Sequence, residues 1–216
     1  MILILLGPPG AGKGTQAKLL AAALQVPHIS TGDMFRDHIA RNTELGQKVK
    51  SITASGQLVP DEVTNALVKD RLSRADVAPG LILDGYPRTV PQAEYLDGLL
   101  RSLGRALDRV VSYEVAVETV VERISGRRSC PKCGAVYHVS QNPPRKAGLC
   151  DREGAELVQR PDDRSENVRV RLSEYEAKTA PLKRFYREKG LLSEVDGVGS
   201  TEGILAATRR VLGAKK

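Results

Sequence analysis

Gly7-Pro8-Pro9-Gly10-Ala11-Gly12-Lys13-Gly14-Thr15 follows directly on the apolar run Met1 to Leu6 and leads directly into a helical pattern, Gln16 to Leu24. That order, strand then glycine loop then helix, decides how the rest of the chain is read. A loop of this composition can turn successive backbone N–H groups inward, making a nest for a polyphosphate at the helix N-terminus. Lys13 adds a point charge for its β- and γ-phosphates. The spacing fits the P-loop pattern with one departure: Gly14 stands where a Ser or Thr belongs, and Thr15 comes one place later. Binding of ATP or GTP is the first expectation.

Outward from the loop, Val26 to Ile29 is a short apolar run that reads as a second strand, ending at Ser30-Thr31-Gly32-Asp33 with Thr31 as an N-cap. Met34 to Arg41 and Leu45 to Ser55 have helical spacing, are separated by Asn42 and Thr43, and close at Gly56. A further helix starts after Pro60-Asp61. Leu81-Ile82-Leu83 ends in Asp84-Gly85, which suits a central parallel strand that delivers a carboxylate to the edge facing a ligand. Val90 to Leu103 reads as helix, Arg109 to Val115 as strand and Val117 to Arg127 as helix. This alternation predicts an α/β fold built on a parallel sheet of about five strands flanked by helices.

From Gly126 to Asp163 the composition shifts to Cys, Gly, Pro and Asn punctuation, with alternation at Ala135-Val136-Tyr137-His138-Val139, so a small β-rich insertion is expected. A long helical pattern then runs from Ser165 to about Lys189, with Asp163 and Glu166 at capping-box spacing and a bend at Pro181. Leu191 to Val195 and Thr201 to Leu212 supply a last strand and helix. The expected division is a core of 1–29, 60–125 and 164–216, a helical flap of 30–59, and a lid of 126–163.

With 216 residues, 41% of them hydrophobic, the chain can bury one α/β core. The N-terminal apolar run is about six residues long and has no basic flank, so neither a signal peptide nor a membrane span is expected, and a cytoplasmic or organelle-matrix location follows, the cytoplasm being the one expected. All three cysteines lie between Cys130 and Cys150, which points to a local metal site rather than a disulfide framework. Cys130-Pro131-Lys132-Cys133 and Cys150-Asp151-Arg152-Glu153 are separated by the sixteen residues Gly134 to Leu149. That is zinc-ribbon spacing with a carboxylate in the fourth place; Asp151 or His138 could substitute, and a metal-free insertion is an alternative. The net charge of +7 favours anionic partners, but with no Trp and two Phe the chain is poorly supplied with stacking platforms for single-stranded nucleic acid.

Joined to the glycine loop, the motifs Thr31-Gly32-Asp33-Met34-Phe35-Arg36, Gly56-Gln57-Leu58-Val59-Pro60-Asp61, Asp84-Gly85-Tyr86-Pro87-Arg88 and Ile124-Ser125-Gly126-Arg127-Arg128 closely resemble the adenylate kinase family, from Met1 to about Leu212. The resemblance covers the shifted threonine, which is the family's own variant. It implies that Gly10, Ala11, Gly12, Lys13, Gly14 and Thr15 cradle the donor ATP, with Arg127, Val136, Tyr137 and Gly199 beside it. It implies that Thr31, Arg36, Gln57, Leu58, Val59, Gly85, Tyr86, Pro87, Arg88 and Gln92 hold AMP, together with Arg160 and Arg171. Arg88 and Arg36 suit a phosphate because a guanidinium donates two parallel hydrogen bonds, and Gln92 suits adenine because an amide both donates and accepts along one base edge.

The resemblance also implies that Arg123, Arg127, Arg160 and Arg171 converge with Lys13 and Arg88 on the transferring group, and that Asp84, with Asp33, holds the water shell of a Mg²⁺. A lid zinc held by Cys130, Cys133, Cys150 and Glu153 is implied as a structural ion, with Glu153 departing from the family's usual Cys or Asp. The expected partners are ATP, AMP and ADP, with no nucleic acid and no membrane, and the chain is expected to be a monomer. Two other readings were weighed: a nucleoside monophosphate kinase with another donor or acceptor, such as GTP with AMP or ATP with UMP or CMP, and a nucleic-acid-binding zinc-ribbon protein. The long lid argues against the pyrimidine relatives, and the zinc-ribbon reading leaves the flap and the Asp84 motif unexplained.

Overall fold

The strand β1, Ile2–Leu6, is buried along its whole length, and the fold is arranged around it. A computed structural model of the chain describes residues 1–213. Ala214 to Lys216, the last three residues of the expected core segment, lie outside the described residues. On one side β1 pairs with β3 (Leu81–Asp84), which pairs with β2 (His28–Ser30); on the other it pairs with β4 (Arg109–Glu114), which pairs with β7 (Leu192–Asp196). All four pairings are parallel, giving the order β2-β3-β1-β4-β7. The five-stranded parallel sheet expected from the βα alternation is therefore present.

Side chains alternate across a strand, and both faces of this sheet are covered, so β1 has no polar position. Ile2, Ile4 and Leu6 join one cluster, with Val68 and Leu72 of α4 (Asp61–Leu72), Ala93, Leu96 and Leu100 of α5 (Val90–Ser102), and Leu182 and Tyr186 of α8 (Pro181–Glu188). Leu3 and Leu5 join the other, with Ala17 and Leu20 of α1 (Lys13–Leu24) and Ile204 of α9 (Thr201–Val211). The chain crosses from one side of β1 to the other between β3 and β4, and the crevice at that switch point lies over the C-terminal end of β1, where Gly7 to Gly12 begin.

Two smaller units stand beyond the sheet edge. The helices α2 (Thr31–Ala40) and α3 (Glu44–Ala54) have a core of their own in Phe35, Val49 and Val59. The segment after α6 (Val117–Ser125) forms a two-stranded antiparallel ribbon, β5 (Arg127–Ser129) with β6 (Val136–His138). Among the described residues no helix is long and apolar enough to cross a membrane.

Several local expectations are corrected. Ser30, not Thr31, caps α2: its side chain accepts from the Asp33 N–H, and Thr31 is the first helical residue. Arg127 is not the end of α6 but the start of β5, because Gly126 caps the helix one residue earlier. The capping box at Asp163 does not form: Arg164 precedes α7 (Ser165–Glu174) without a side-chain cap, and the Asp163 carboxylate is taken by two arginines. The long helix does not simply bend at Pro181. A π-helical turn, Tyr175–Thr179, separates α7 from α8, with the Ala180 N–H donating to Tyr175 O at 2.8 Å. Proline has no N–H to give the preceding turn, so the backbone takes up a residue of slack before it.

Candidate active site

The glycine loop sits where the sequence places it, and the structure explains its composition. A Cβ on Gly7 would lie 2.7 Å from the Tyr113 carbonyl oxygen, too close for any side chain, so the loop can leave β1 only through glycine. Gly12 caps α1 with φ 88° and no side-chain cap, leaving the first N–H groups of the helix for an anion. The departure at Gly14 has a geometric cause: a Cβ there would sit 3.3 Å from Asp84 Oδ2. The carboxylate at the end of β3 would have to give way by a few tenths of an ångström to admit a side chain there.

Lys13 turns back over its own loop, and its Nζ donates to Gly7 O at 2.7 Å and Pro8 O at 2.8 Å. Burial pushes its ammonium down to about 8; Asp84 opposes the fall, while Arg88, Arg171 and Arg127 add to it. Arg88 is brought down to about 10 by burial, with Arg171 and Arg36 adding to the fall and Asp84 opposing it. Burial, Arg36 and Arg127 do the same to Arg160, also to about 10. Among the described residues, Arg88, Arg123 and Arg160 have no ion-pair partner; they donate to Gly85 O, Gly197 O and Ser129 Oγ. Cations crowded enough to disfavour one another's charge form a site that an anion would relieve.

Three of the expected arginines are tied to carboxylates: Arg36 to Asp33, and Arg127 and Arg171 to the Asp162-Asp163 pair. Asp163, fully buried, accepts from Arg127 Nε at 2.7 Å and from Arg127 Nη2, and also from Arg171 Nη1 at 2.8 Å; Asp162 pairs with Arg171 at 2.9 Å. Burial alone would raise the Asp163 carboxyl, but Arg127 and then Arg171 hold it below the usual carboxylate range. One aspartate thus ties an arginine of the ribbon to an arginine of α7. Sequence reading missed this role, although the alternation of acids and arginines in Arg160-Pro161-Asp162-Asp163-Arg164 was a signal for it.

Asp84 stays ionised. Burial raises its carboxyl, but the hydrogen bond from His28, 3.3 Å away, and the charge of Lys13 outweigh burial. His28 was not singled out from the sequence. Asp33 pairs with Arg36 at 2.6 Å, and Thr31 Oγ1 donates to Gly85 O at 2.8 Å.

A cleft of about 1300 Å³ runs through these groups. It is lined by Gly10 to Thr15, Thr31, Arg36, Gln57, Leu58, Val59, Asp84, Gly85, Arg88, Gln92, Arg123, Arg127, Val136, Tyr137, Arg160, Arg171 and Gly199. Two expected residues lie outside it. Tyr86 is buried in the sheet core with its hydroxyl donating to Asn65 Oδ1 at 2.6 Å, and Pro87 is buried beside it. Tyr137 lines the cleft but commits its hydroxyl to the ribbon, near Cys150 Sγ at 3.7 Å and accepting from the Asp151 N–H at 2.9 Å.

The chain matches the family model for adenylate kinase over residues 5–191. It is 73% identical to an adenylate kinase of Anaeromyxobacter dehalogenans over 213 residues, covering 99% of this chain and 100% of that one. It is 52% identical to that of Symbiobacterium thermophilum, covering the whole of both chains, and 52% identical to that of Acholeplasma laidlawii, covering 99% and 98%. The chain belongs to the adenylate kinase family. Its activity is phosphoryl transfer between ATP and AMP, and the zinc-ribbon and pyrimidine-kinase readings are not favoured.

In the ribbon, the sulfurs of Cys130, Cys133 and Cys150 lie within 4.8 Å of one another. Glu153, expected as a fourth ligand, is exposed and outside that cluster. Cys130 and Cys150 are buried among apolar side chains, including Ala135, Ala155 and Leu157, whereas Cys133 is exposed. His138 Nδ1 is taken by the N–H groups of Ser140 and Gln141, and Asp151 Oδ1 by that of Arg145.

Proposed function

We propose that the cleft holds the donor ATP along Gly10 to Thr15 and the acceptor AMP against the α2–α3 pair and the Asp84-Gly85-Tyr86-Pro87-Arg88 turn. The group in transit lies between them, beneath Lys13, Arg88, Arg123, Arg127, Arg160 and Arg171. The observation that carries this is the gathering of Lys13, Arg88, Arg123, Arg127, Arg160 and Arg171 along one cleft, where burial first and neighbouring arginines second lower Lys13, Arg88 and Arg160. Phosphoryl transfer asks mainly for positioning and for neutralisation of spread negative charge. The acceptor oxygen of AMP is already ionised near neutrality, so no carboxylate base is needed. Residues 30–59 act as a flap over AMP and residues 126–163 as a lid over ATP, closing to exclude the water that would otherwise take the γ-phosphate.

Mg²⁺, when bound with ATP, would offset the negative charge of the phosphates. Asp84, kept ionised at the end of β3, and Asp33 would hold its water shell. The lid's donor set fits a structural zinc. Burial raises the Cys150 thiol, but the N–H groups of Glu153 and Arg152 directed at its sulfur bring it down to about 7.

The two ligand turns repeat each other. Gly134 N donates to Cys130 O and Gly154 N to Cys150 O, and Cys130 N donates to Ala135 O as Cys150 N does to Ala155 O. Glu153 therefore occupies in the second turn the place of Cys133 in the first, which supports it as the fourth ligand ahead of Asp151 or His138. In this reading the chain acts on free nucleotides, since the arginines of the site line one cleft, and it does so as a cytoplasmic monomer.

A coupled assay over a panel of mono- and triphosphates, run on the native chain and on Arg88→Ala, tests the assignment. The native chain should be most active with ATP and AMP. Arg88→Ala should lose on the order of 4 kcal/mol of transition-state stabilisation, about a thousandfold, in kcat as well as kcat/KM. An effect confined to the KM for AMP would contradict the place given to Arg88.

A further inference from the structure

Gln92 is held at both ends. It is 2% exposed and lines the cleft; its Nε2 donates to Asp61 Oδ1 at 2.7 Å, and its Oε1 accepts from the Arg88 backbone N–H at 2.7 Å. A carboxylate only accepts and a main-chain N–H only donates, so these partners admit one orientation of the amide and oppose the flipped one at each end. Asp61 is itself fixed, accepting at Oδ2 from Thr89 Oγ1 at 2.7 Å. Thr89 in turn caps α5 by accepting from the Gln92 N–H. Asp61 heads α4 and is not among the residues that line the cleft.

We propose that Asp61 is a positioning residue that sets the choice of acceptor base, by locking the Gln92 amide in the orientation that reads adenine and refuses guanine. The proposal rests on the reading of Gln92 as the base contact. With its two protein bonds made, the amide keeps one Nε2 hydrogen and one Oε1 lone pair. Adenine carries an acceptor at N1 beside a donor amine at position 6; guanine carries a donor N1–H beside an acceptor oxygen at the same two places. The locked amide pairs with both groups of adenine and meets guanine with donor against donor and acceptor against acceptor. A free glutamine amide could turn over and read either base, so Gln92 alone does not discriminate. The acceptor-only chemistry of Asp61 behind it does.

The test is the ratio of kcat/KM for AMP to kcat/KM for GMP, with ATP as donor, in the native chain and in Asp61→Asn, Asp61→Glu and Gln92→Leu. Both acceptors are read on the same preparation, so the ratio does not depend on how much of a variant is folded. Asparagine matches aspartate in size but offers either a donor or an acceptor, so Asp61→Asn should lower the ratio about tenfold or more, leaving the Arg88 N–H as the remaining lock. Asp61→Glu keeps an acceptor-only group and should keep the AMP preference. An unchanged ratio in Asp61→Asn, with both acceptors slowed alike, would overturn the lock and leave Asp61 a merely structural residue, as would equal losses of preference in the Asn and Glu variants. If Gln92→Leu leaves the ratio intact, Gln92 is not the base contact and the underlying reading fails; a collapsed ratio there beside an unchanged one in Asp61→Asn sinks the lock alone.

Discussion

The sheet and the ribbon after α6 are held together by different means. Around β1, two apolar clusters cover both sheet faces, and their members are almost fully excluded from water. The ribbon buries only Cys130, Tyr137 and Cys150 in a cluster of its own, and its two strands have three residues each. A two-stranded ribbon of that size is marginal in water without a staple. Its links to the rest of the chain include ion pairs, Arg127 through Asp163 to Arg171. Stability thus resides in the sheet, while the ribbon supplies charged groups to the cleft, and a unit with little apolar burial can change position without exposing a core.

The sharpest way to break that comparison is to damage the sheet. Ile4→Ala removes a fully buried side chain from the central strand and should cost about 3 kcal/mol in denaturant unfolding. A loss well under 1 kcal/mol would show that the sheet core is not where stability lies. The ribbon should respond to its thiols instead. Replacing Cys130 and Cys133 by Ser should abolish binding of about one zinc per chain and cost roughly 2 kcal/mol, seen as a lower melting temperature of zinc-loaded protein, with activity at low temperature largely kept. Protein purified with reduced thiols and no stoichiometric zinc would remove the staple from the account.

The smallest effect belongs to the cleft between the two regions. The Lys13 ammonium falls from 10.5 to about 8 on folding, so below pH 8 the unfolded chain holds this proton more tightly and burying the charge destabilises the fold. Lys13→Met should therefore unfold later at pH 7, by about 1 kcal/mol. That gain should fade as the pH rises from 8 to 10.5, while turnover is lost at every pH. A gain that stays constant with pH would mean that the lysine charge is not what the fold opposes.

Much of the site could be read because its residues are close in sequence. The glycine loop, Thr31 to Arg36, and Asp84 to Arg88 each sit on one short stretch whose spacing carries its own geometry. What could not be read were roles created by distant stretches meeting. Asp163 looked like a helix cap because capping is local, whereas its partners Arg127 and Arg171 lie 36 and 8 residues away. Tyr86 lay inside an expected binding motif, yet its side chain completes the hydrophobic interior. A disturbance at Pro181 was legible from proline's missing N–H, but that the chain answers it with a π-helical turn over Tyr175–Thr179 was not.

By itself the sequence determined the α/β class, the strand–loop–helix order at the glycine loop and the grouping of three cysteines, because each rests on periodicity or short-range spacing that survives without a fold, and its motifs carried the resemblance to the family. The tertiary structure alone decided which cations keep free charge and which are paired, that a side chain at Gly14 would crowd Asp84, and which way the Gln92 amide faces. Those outcomes depend on the partner each group meets across the cleft, and hydrogen bonding and charge act through space rather than along the chain.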